Sequence, residues 1–160
     1  MEMGIAALII ASVMMMAVWF GMRLIPMTQT LGAVSMASGP ATNEIIYHAV
    51  HGHWPNAGDQ TILAGNTKGS WVNDLALGED GVITAQLTIG SVPTISGLPL
   101  ATAANAIGGS LSFRPQLLGS RDAPTITFLC GYASPVVSSA ATSGTNLTTL
   151  DKHLLPPFCR

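Results

Sequence analysis

The stretch MEMGIAALIIASVMMMAVWFGMR, residues 1–23, opens the chain with an uncharged run from Met3 to Met22. A helix of about 20 residues is about 30 Å long, which matches the hydrocarbon thickness of a bilayer. A cleavable secretory signal has a basic leading segment and a shorter apolar run, whereas here Glu2 leads and Arg23 follows. The run therefore predicts a retained N-terminal helix that spans a membrane or lies in another apolar environment.

The chain carries few charges for a protein with a water-exposed domain. Charged residues make up 9% of the sequence, against about 25% in ordinary soluble proteins, and the formal net charge is −2. We expect a surface of Ser, Thr, Asn and Gly that suits packing against copies of itself, with no overall attraction to nucleic acid. The remaining length suffices for one domain, so we expect a hydrophobic helix over residues 1–25 and one globular head over 26–160.

A helix-weakening segment follows the apolar run, between Gly21 and Pro26. Proline removes a helical hydrogen bond and glycine adds backbone freedom, so we expect the helix to bend or melt there. Residues 27–51 then show apolar residues at helical spacing, which predicts an amphipathic helix that ends near Gly52 and Pro55. We expect its packed face to contain Leu31, Val34, Ala41, Ile45 and His48, and its other faces to contain Gln29, Ser35, Asn43 and Glu44.

Short runs with β-type spacing begin after residue 69. Four of them are bounded by turn residues: Ser70 to Leu77, Gly81 to Ile89, Ser110 to Leu118 and Thr125 to Gly131. They predict an antiparallel sheet, and the GED link that ends in Gly81 is typical of a tight hairpin. Pro115 lies inside the third run, so we expect that strand at a sheet edge or with a bulge. Residues 90–109 predict a long loop.

The two cysteines, Cys130 and Cys159, bracket an irregular segment at the end of the chain. Outside the cytoplasm such a pair would form a disulfide, and two free buried thiols are the alternative. The order of the predicted elements, together with a disulfide between the cysteines, predicts an α+β fold. It comprises a long N-terminal α-helix packed on a four-stranded antiparallel β-sheet, with a disulfide-closed C-terminal loop over residues 130–159.

Residues that could carry chemistry are few. None of the GxSxG, HExxH or GxGxxG motifs is present, so we expect neither an enzyme nor a cofactor. His48, His51 and His53 could suggest zinc, but no nearby cysteine or second cluster completes a site, so no metal is expected. Four basic residues could converge near the cysteines as a small surface patch, with scattered solvated charges as the alternative: Arg121, Lys152, His153 and Arg160.

Four stretches, in this order, resemble the type IV pilins and most closely the type IVa major pilins. VSMASGPATNEIIYHAVHGHWP resembles the second half of the pilin helix and its exit, and GVITAQL resembles the Gly-Val-Ile-Thr-Ala strand of the family. TITFLCGYASP is similar to the strand that carries the first cysteine of the C-terminal loop. LDKHLLPPFCR is similar to the lysine-leucine-proline-cysteine terminus.

The resemblance implies the type IV pilin fold and a structural subunit that polymerises through its N-terminal helix into an extracellular filament. Such filaments serve adhesion, twitching motility or DNA uptake, and a minor ligand-binding pilin or a type II secretion pseudopilin is the alternative. The implied partners are identical subunits, the inner membrane of a Gram-negative bacterium, the prepilin peptidase and assembly machinery, and a host surface or DNA. By the same resemblance, Glu2 would neutralise an N-terminal amine, that of Met1 or of a neighbour, although family members place this glutamate a few residues further in.

Overall fold

A computed structural model describes residues 2–57, 59–63, 67–90, 106–119, 124–135 and 141–160. Within the first helix, the side chains of residues 2–8, 18–23 and 25 are not described. The elements are α1 (Glu2–His51), β1 (Val72–Leu77), β2 (Ile83–Ile89), β3 (Ile107–Leu118), β4 (Thr125–Cys130) and β5 (Ala141–Thr142). The strands form one antiparallel sheet in the order β1-β2-β3-β4, and β5 pairs with β3. The predicted α+β class, the long helix and the antiparallel sheet are confirmed, whereas the prediction of four strands is wrong because β5 adds a fifth.

The helix is α-helical from Glu2 to His51 and includes both Pro26 and Pro40. It ends at Gly52, whose φ of +76° reverses the backbone while its N–H donates to His48 O at 2.9 Å. This is the glycine termination that the sequence predicts. The segment from Gly21 to Pro26 is helical in the single chain, and its melting within a filament stays a prediction.

The face that α1 packs on the head matches the predicted one only in part, since Val34 and Ala41 pack against the core as predicted. The buried positions are Gln29, Thr30, Ala33, Ala37 and Glu44, whereas Leu31 is 42% exposed. The small side chains of Ala33 and Ala37 let the helix approach β2 closely, and this contact fixes which face is buried. The prediction that Gln29 and Glu44 lie on other faces is therefore wrong.

Hydrogen bonds hold the two polar residues that begin this buried face. The side-chain Oε1 of Gln29 accepts from the backbone N–H of Gly90 at 2.8 Å. The Thr30 hydroxyl contacts Met27 O at 2.9 Å and Leu154 O at 3.4 Å. Because partners in the head satisfy these groups, polar side chains are tolerated where the helix enters the head.

The core lies between α1 and one face of the sheet. Cross-strand pairs such as Ile83 with Phe113 and Ala85 with Leu111 share that face, and all four side chains are buried. The β1–β2 connection is a tight reversal in which Asp80 and Gly81 have φ of 56° and 71°. The predicted hairpin and the need for Gly81 at its end are confirmed.

Pro115 lies in a central strand, so the prediction of an edge or bulged strand is wrong. It pairs with Phe128 of β4 in an unbroken register. Its carbonyl accepts from Ser143 N at 3.0 Å on the opposite side of β3. There the ladder with β2 has ended at Phe113 and that with β5 begins at Gln116. The missing N–H of proline therefore falls in the gap between two partner strands, where no ladder bond is lost.

The C-terminal segment covers the other face of β3. Asn146 and Thr148 bond to Ser112, because Ser112 Oγ donates to Asn146 Oδ1 at 2.8 Å and Ser112 N donates to Thr148 Oγ1 at 3.1 Å. Thr149 binds Ser110 in the same way, with Ser110 N donating to Thr149 Oγ1 at 2.9 Å. Hydroxyl side chains thus replace a regular strand ladder, which explains why this segment shows no strong periodicity.

Most of the predicted 90–109 loop, residues 91–105, lies outside the described residues. The described end of that stretch, Ile107 to Gly109, already belongs to β3. The two-residue strand β5 is too short to leave a sequence pattern.

Candidate functional site

The first half of α1 presents apolar side chains that the head does not cover. Seven described residues are 54% to 75% exposed: Ile9, Ile10, Val13, Met14, Met15, Met16 and Leu24. The one polar side chain among residues 9–17 is Ser12, whose hydroxyl donates to Ile9 O at 2.8 Å within the helix. This surface can therefore enter an apolar environment without leaving a side-chain polar group unpaired. An apolar patch of this kind marks an interaction surface.

The predicted membrane-length run lies only partly within the described side chains. Across the described residues, no helix has a window that is long and apolar enough to cross a membrane. Residues 3–8 and 18–22 of the run have side chains outside this description. The membrane span stays a prediction.

The predicted assembly residues also lie at the limit of the described chain. Met1 is outside it, and Glu2 is the first residue of α1 with an undescribed side chain. The pairing of Glu2 with an N-terminal amine therefore stays a prediction.

The two cysteines form the predicted disulfide. Cys130 at the end of β4 and Cys159 are joined with a Cα–Cα distance of 4.6 Å across 29 residues of sequence. Both are buried, and Tyr132 N donates to Cys159 O at 2.8 Å beside the bond. Arg114 Nη2 lies 3.3 Å from both Gly131 O and Ala133 O. The disulfide and Arg114 together fix the start of the C-terminal segment.

The predicted basic patch lies only partly within the described residues. Arg121 is outside them. Lys152 Nζ lies 5.2 Å from the centre of the Tyr132 ring, and Arg160 Nε donates to Leu155 O at 2.9 Å. The described contacts of these two cations are thus with Tyr132 and Leu155. A joint role with Arg121 stays a prediction.

Glu44 is the buried ionisable group that the sequence prediction missed. It is fully buried, and neither carboxyl oxygen has a hydrogen-bond partner among the described residues. Burial raises its pKa from 4.5 to about 8, so the neutral acid predominates at pH 7. The signal for its burial is the spacing Thr30, Ala33, Ala37 and Glu44, a stripe of small and polar residues that apolar periodicity does not detect.

The end of α1 carries a cluster of aromatic and imidazole rings. Tyr47 stacks on His51 with ring centroids 4.1 Å apart and meets His53 edge-on at 5.6 Å. His48 instead packs on Trp54 at 4.1 Å. His48 thus packs on the chain that leaves the helix, whereas His51 and His53 both contact the Tyr47 ring. Within the described ranges, no group of three or more His, Cys, Asp or Glu side chains could hold a metal ion.

A groove of about 500 Å³ lies between α1 and the β4 side of the sheet. Its walls are mostly apolar and include Val34, Ala41 and Ile45 from the helix and Phe128 and Phe158 opposite. Phe158 is 55% exposed at its rim.

No protein-family model and no curated protein matches this chain. The resemblance to the type IV pilins therefore rests on the four sequence stretches and their order.

Proposed function

We propose that this chain is the structural subunit of a type IV pilus, with the pilin fold, and that it polymerises through α1 into an extracellular filament. The observation that carries the proposal is the division of one continuous helix into two parts. The part from Gln29 onward packs on the head, whereas residues 9–17 and Leu24 present apolar side chains to their surroundings.

Packing against identical helices would bury the exposed apolar side chains in the first half of α1. Fully burying an exposed Leu, Ile or Met side chain contributes about 1.5 to 3 kcal/mol, so seven such residues provide a gross drive on the order of 10 to 20 kcal/mol per subunit. Helices of identical sequence also present matching surfaces. A closed pair of heads would cover few of these residues, whereas a helical array brings many copies of α1 together.

The head suits close packing of copies. With charged residues at 9% of the chain, few ions lose their hydration when two heads meet. The disulfide between Cys130 and Cys159 fixes an irregular segment that would otherwise offer loose backbone at a subunit contact.

In this proposal the subunit waits in the inner membrane of a Gram-negative bacterium after processing by a prepilin peptidase. The assembly machinery then moves α1 from lipid into the centre of the filament. One apolar surface serves both environments, because lipid and packed helices each lack water. Contacts with a host surface or DNA would be made by the heads.

Self-assembly of the full chain tests this function. Met15→Lys places a charge at the most exposed apolar residue of the described helix, and Val50→Lys is its matched control, since the two residues are 75% and 72% exposed on the same helix. We expect electron microscopy to show filaments for the wild type and for Val50→Lys but not for Met15→Lys. Filaments of normal length from Met15→Lys, or no filaments from the wild type, would contradict the proposal.

A further inference from the structure

Two histidines flank the glycine that ends α1. His51 is the last residue of the helix, Gly52 has a φ of +76°, and His53 follows it. Both imidazole side chains are exposed. The reversal at Gly52 brings their ring centroids to 6.1 Å from each other.

Backbone carbonyls fix one nitrogen of each ring. His51 Nδ1 lies 3.0 Å from Tyr47 O, and His53 Nδ1 lies 2.9 Å from Trp54 O. A carbonyl oxygen can only accept, so Nδ1 must carry the proton in both rings. In the neutral imidazole the lone pair is then on Nε2. Histidines that bind metals have this arrangement, in which the second ring nitrogen donates to a carbonyl or carboxylate and orients the ligand.

The Tyr47 ring restrains both imidazoles. It is nearly parallel to His51, with an angle of 18°, and nearly perpendicular to His53, with an angle of 75°. Each imidazole is therefore held by one hydrogen bond and one ring contact before any ligand arrives.

We propose that His51 and His53 bind one divalent transition-metal ion of the Zn²⁺ class through their Nε2 atoms. Water fills the remaining coordination positions, since the described residues bring no third protein ligand. Imidazole nitrogen is a preferred ligand of this class of ion. The proposal does not depend on the filament function.

The separation of the rings fits a shared ion with a small closure. With a zinc–nitrogen bond of about 2.1 Å, two imidazole rings on one ion have centroids about 5 to 6.5 Å apart, depending on the angle at the metal. The observed 6.1 Å lies within this range. A tetrahedral angle requires the rings to approach by about 1 Å, which exposed side chains can do.

Calorimetric titration of the full-length chain with Zn²⁺ tests the site. The variants are His51→Asn and His53→Asn, and the matched control is His153→Asn, which removes an exposed histidine of the 152–154 turn. Losing only an outer-shell partner costs about 10- to 100-fold in metal affinity, so losing a ligand should weaken binding by at least about tenfold. Circular dichroism of each variant checks that the head is folded.

We expect one Zn²⁺ per chain for the wild type and His153→Asn, and binding at least about tenfold weaker for His51→Asn and for His53→Asn. An absence of saturable binding by the wild type would overturn the proposal. Unchanged affinity in either site variant, or an equal loss in the control, would also overturn it.

Discussion

Glu44 of α1 and Gly81 of the β1–β2 connection lie against each other, although 37 positions separate them in the sequence. A Cβ on Gly81 would be 3.2 Å from Glu44 Oε2 and 3.3 Å from the Trp54 ring. Gly81 also donates its backbone N–H to Pro55 O at 3.1 Å. The tip of the hairpin therefore closes over the carboxyl group and binds the chain that leaves the helix, which cuts Glu44 off from water.

We expect the folded head to lose stability as the pH rises, because burial raises the pKa of Glu44 from 4.5 to about 8. The folded protein holds a proton between these two values that the unfolded chain releases. The stabilising contribution is thus fully present below 4.5 and is lost as the pH rises through 8. The loss is on the order of 3 to 5 kcal/mol in the free energy of unfolding. Urea unfolding at a series of pH values measures it.

The control for this pH dependence is Glu44→Gln, which keeps the size of the side chain and cannot ionise. All other titrating groups are shared by the two proteins, so the difference between their curves reports Glu44 alone. We expect a flatter curve for Glu44→Gln. Parallel curves would show that Glu44 does not titrate as its burial implies.

Gly81→Ala should destabilise the head, and Gly32→Ala should not. Gly81 has a φ of +71° and three neighbouring side chains within 3.4 Å of the added Cβ. The left-handed conformation alone costs about 1 to 2 kcal/mol for alanine. Gly32 is helical, and a Cβ there would meet the Trp71 ring at 4.0 Å, an ordinary van der Waals contact, so alanine there should stabilise by about 0.5 to 1 kcal/mol. Thermal unfolding compares them, and destabilisation of equal size in both would contradict this account.

Removal of the disulfide should lower the free energy of unfolding by about 3 to 4 kcal/mol on the chain-entropy model. The double variant Cys130→Ala with Cys159→Ala leaves no unpaired thiol at the buried site. Denaturant unfolding of this variant and of the oxidised wild type gives the difference. Mass spectrometry of the unreduced protein should show one linked peptide pair, and two free thiols would contradict the bond.

The helix should lose regular hydrogen bonding between Gly21 and Pro26 once it is packed in a filament. Proline and glycine lower the cost of melting at this place, and extended chain can still bury Met22 and Leu24. A filament map at side-chain resolution measures this, and Pro26→Ala should restore a regular helix. An unbroken α-helix through Leu24 and Ile25 in the wild-type filament would contradict the prediction.

Glu2→Gln should reduce filament assembly while leaving the head folded. An ionised carboxylate beside an apolar core costs several kcal/mol unless it is paired, and an N-terminal amine has the opposite sign. Pairing of the carboxylate with the amine would favour docking of each subunit at one axial position along the filament. Glu79→Gln is the matched control, because Glu79 is an exposed carboxylate of the head. Filament yield in a strain without wild-type subunit measures the effect, and a normal yield from Glu2→Gln would remove this role.

Local patterns were sufficient for most of the elements. The SWVNDLAL and TITFLC stretches alternate or cluster as strands do, and the structure has β1 and β4 there. Gly52 and Gly81 both take positive φ where the sequence predicts a helix end and a hairpin. Each of these depends on the conformational preferences of a few neighbouring residues.

Contacts between distant residues produced the features that local patterns missed. Gln29 is buried because Gly90 supplies a hydrogen bond, and Glu44 is buried because the hairpin closes over it. Pro115 sits in a central strand because two partner strands leave a gap opposite its nitrogen. In each case the contacting residues lie too far away in the sequence for a local pattern to include them.

The sequence by itself determined the long helix, the four longer strands, the hairpin turn at Gly81 and the pair of cysteines available for a bond. Backbone propensity and side-chain periodicity act over a few residues, so they can be read in order along the chain. Only the tertiary structure decided which face of α1 is buried, that a carboxyl group lies inside, and that His51 and His53 rather than His48 share a ring cluster. These features depend on which surfaces meet. Whether a side chain is buried or hydrogen-bonded is set as much by its partner, which is distant in the sequence, as by the residue itself.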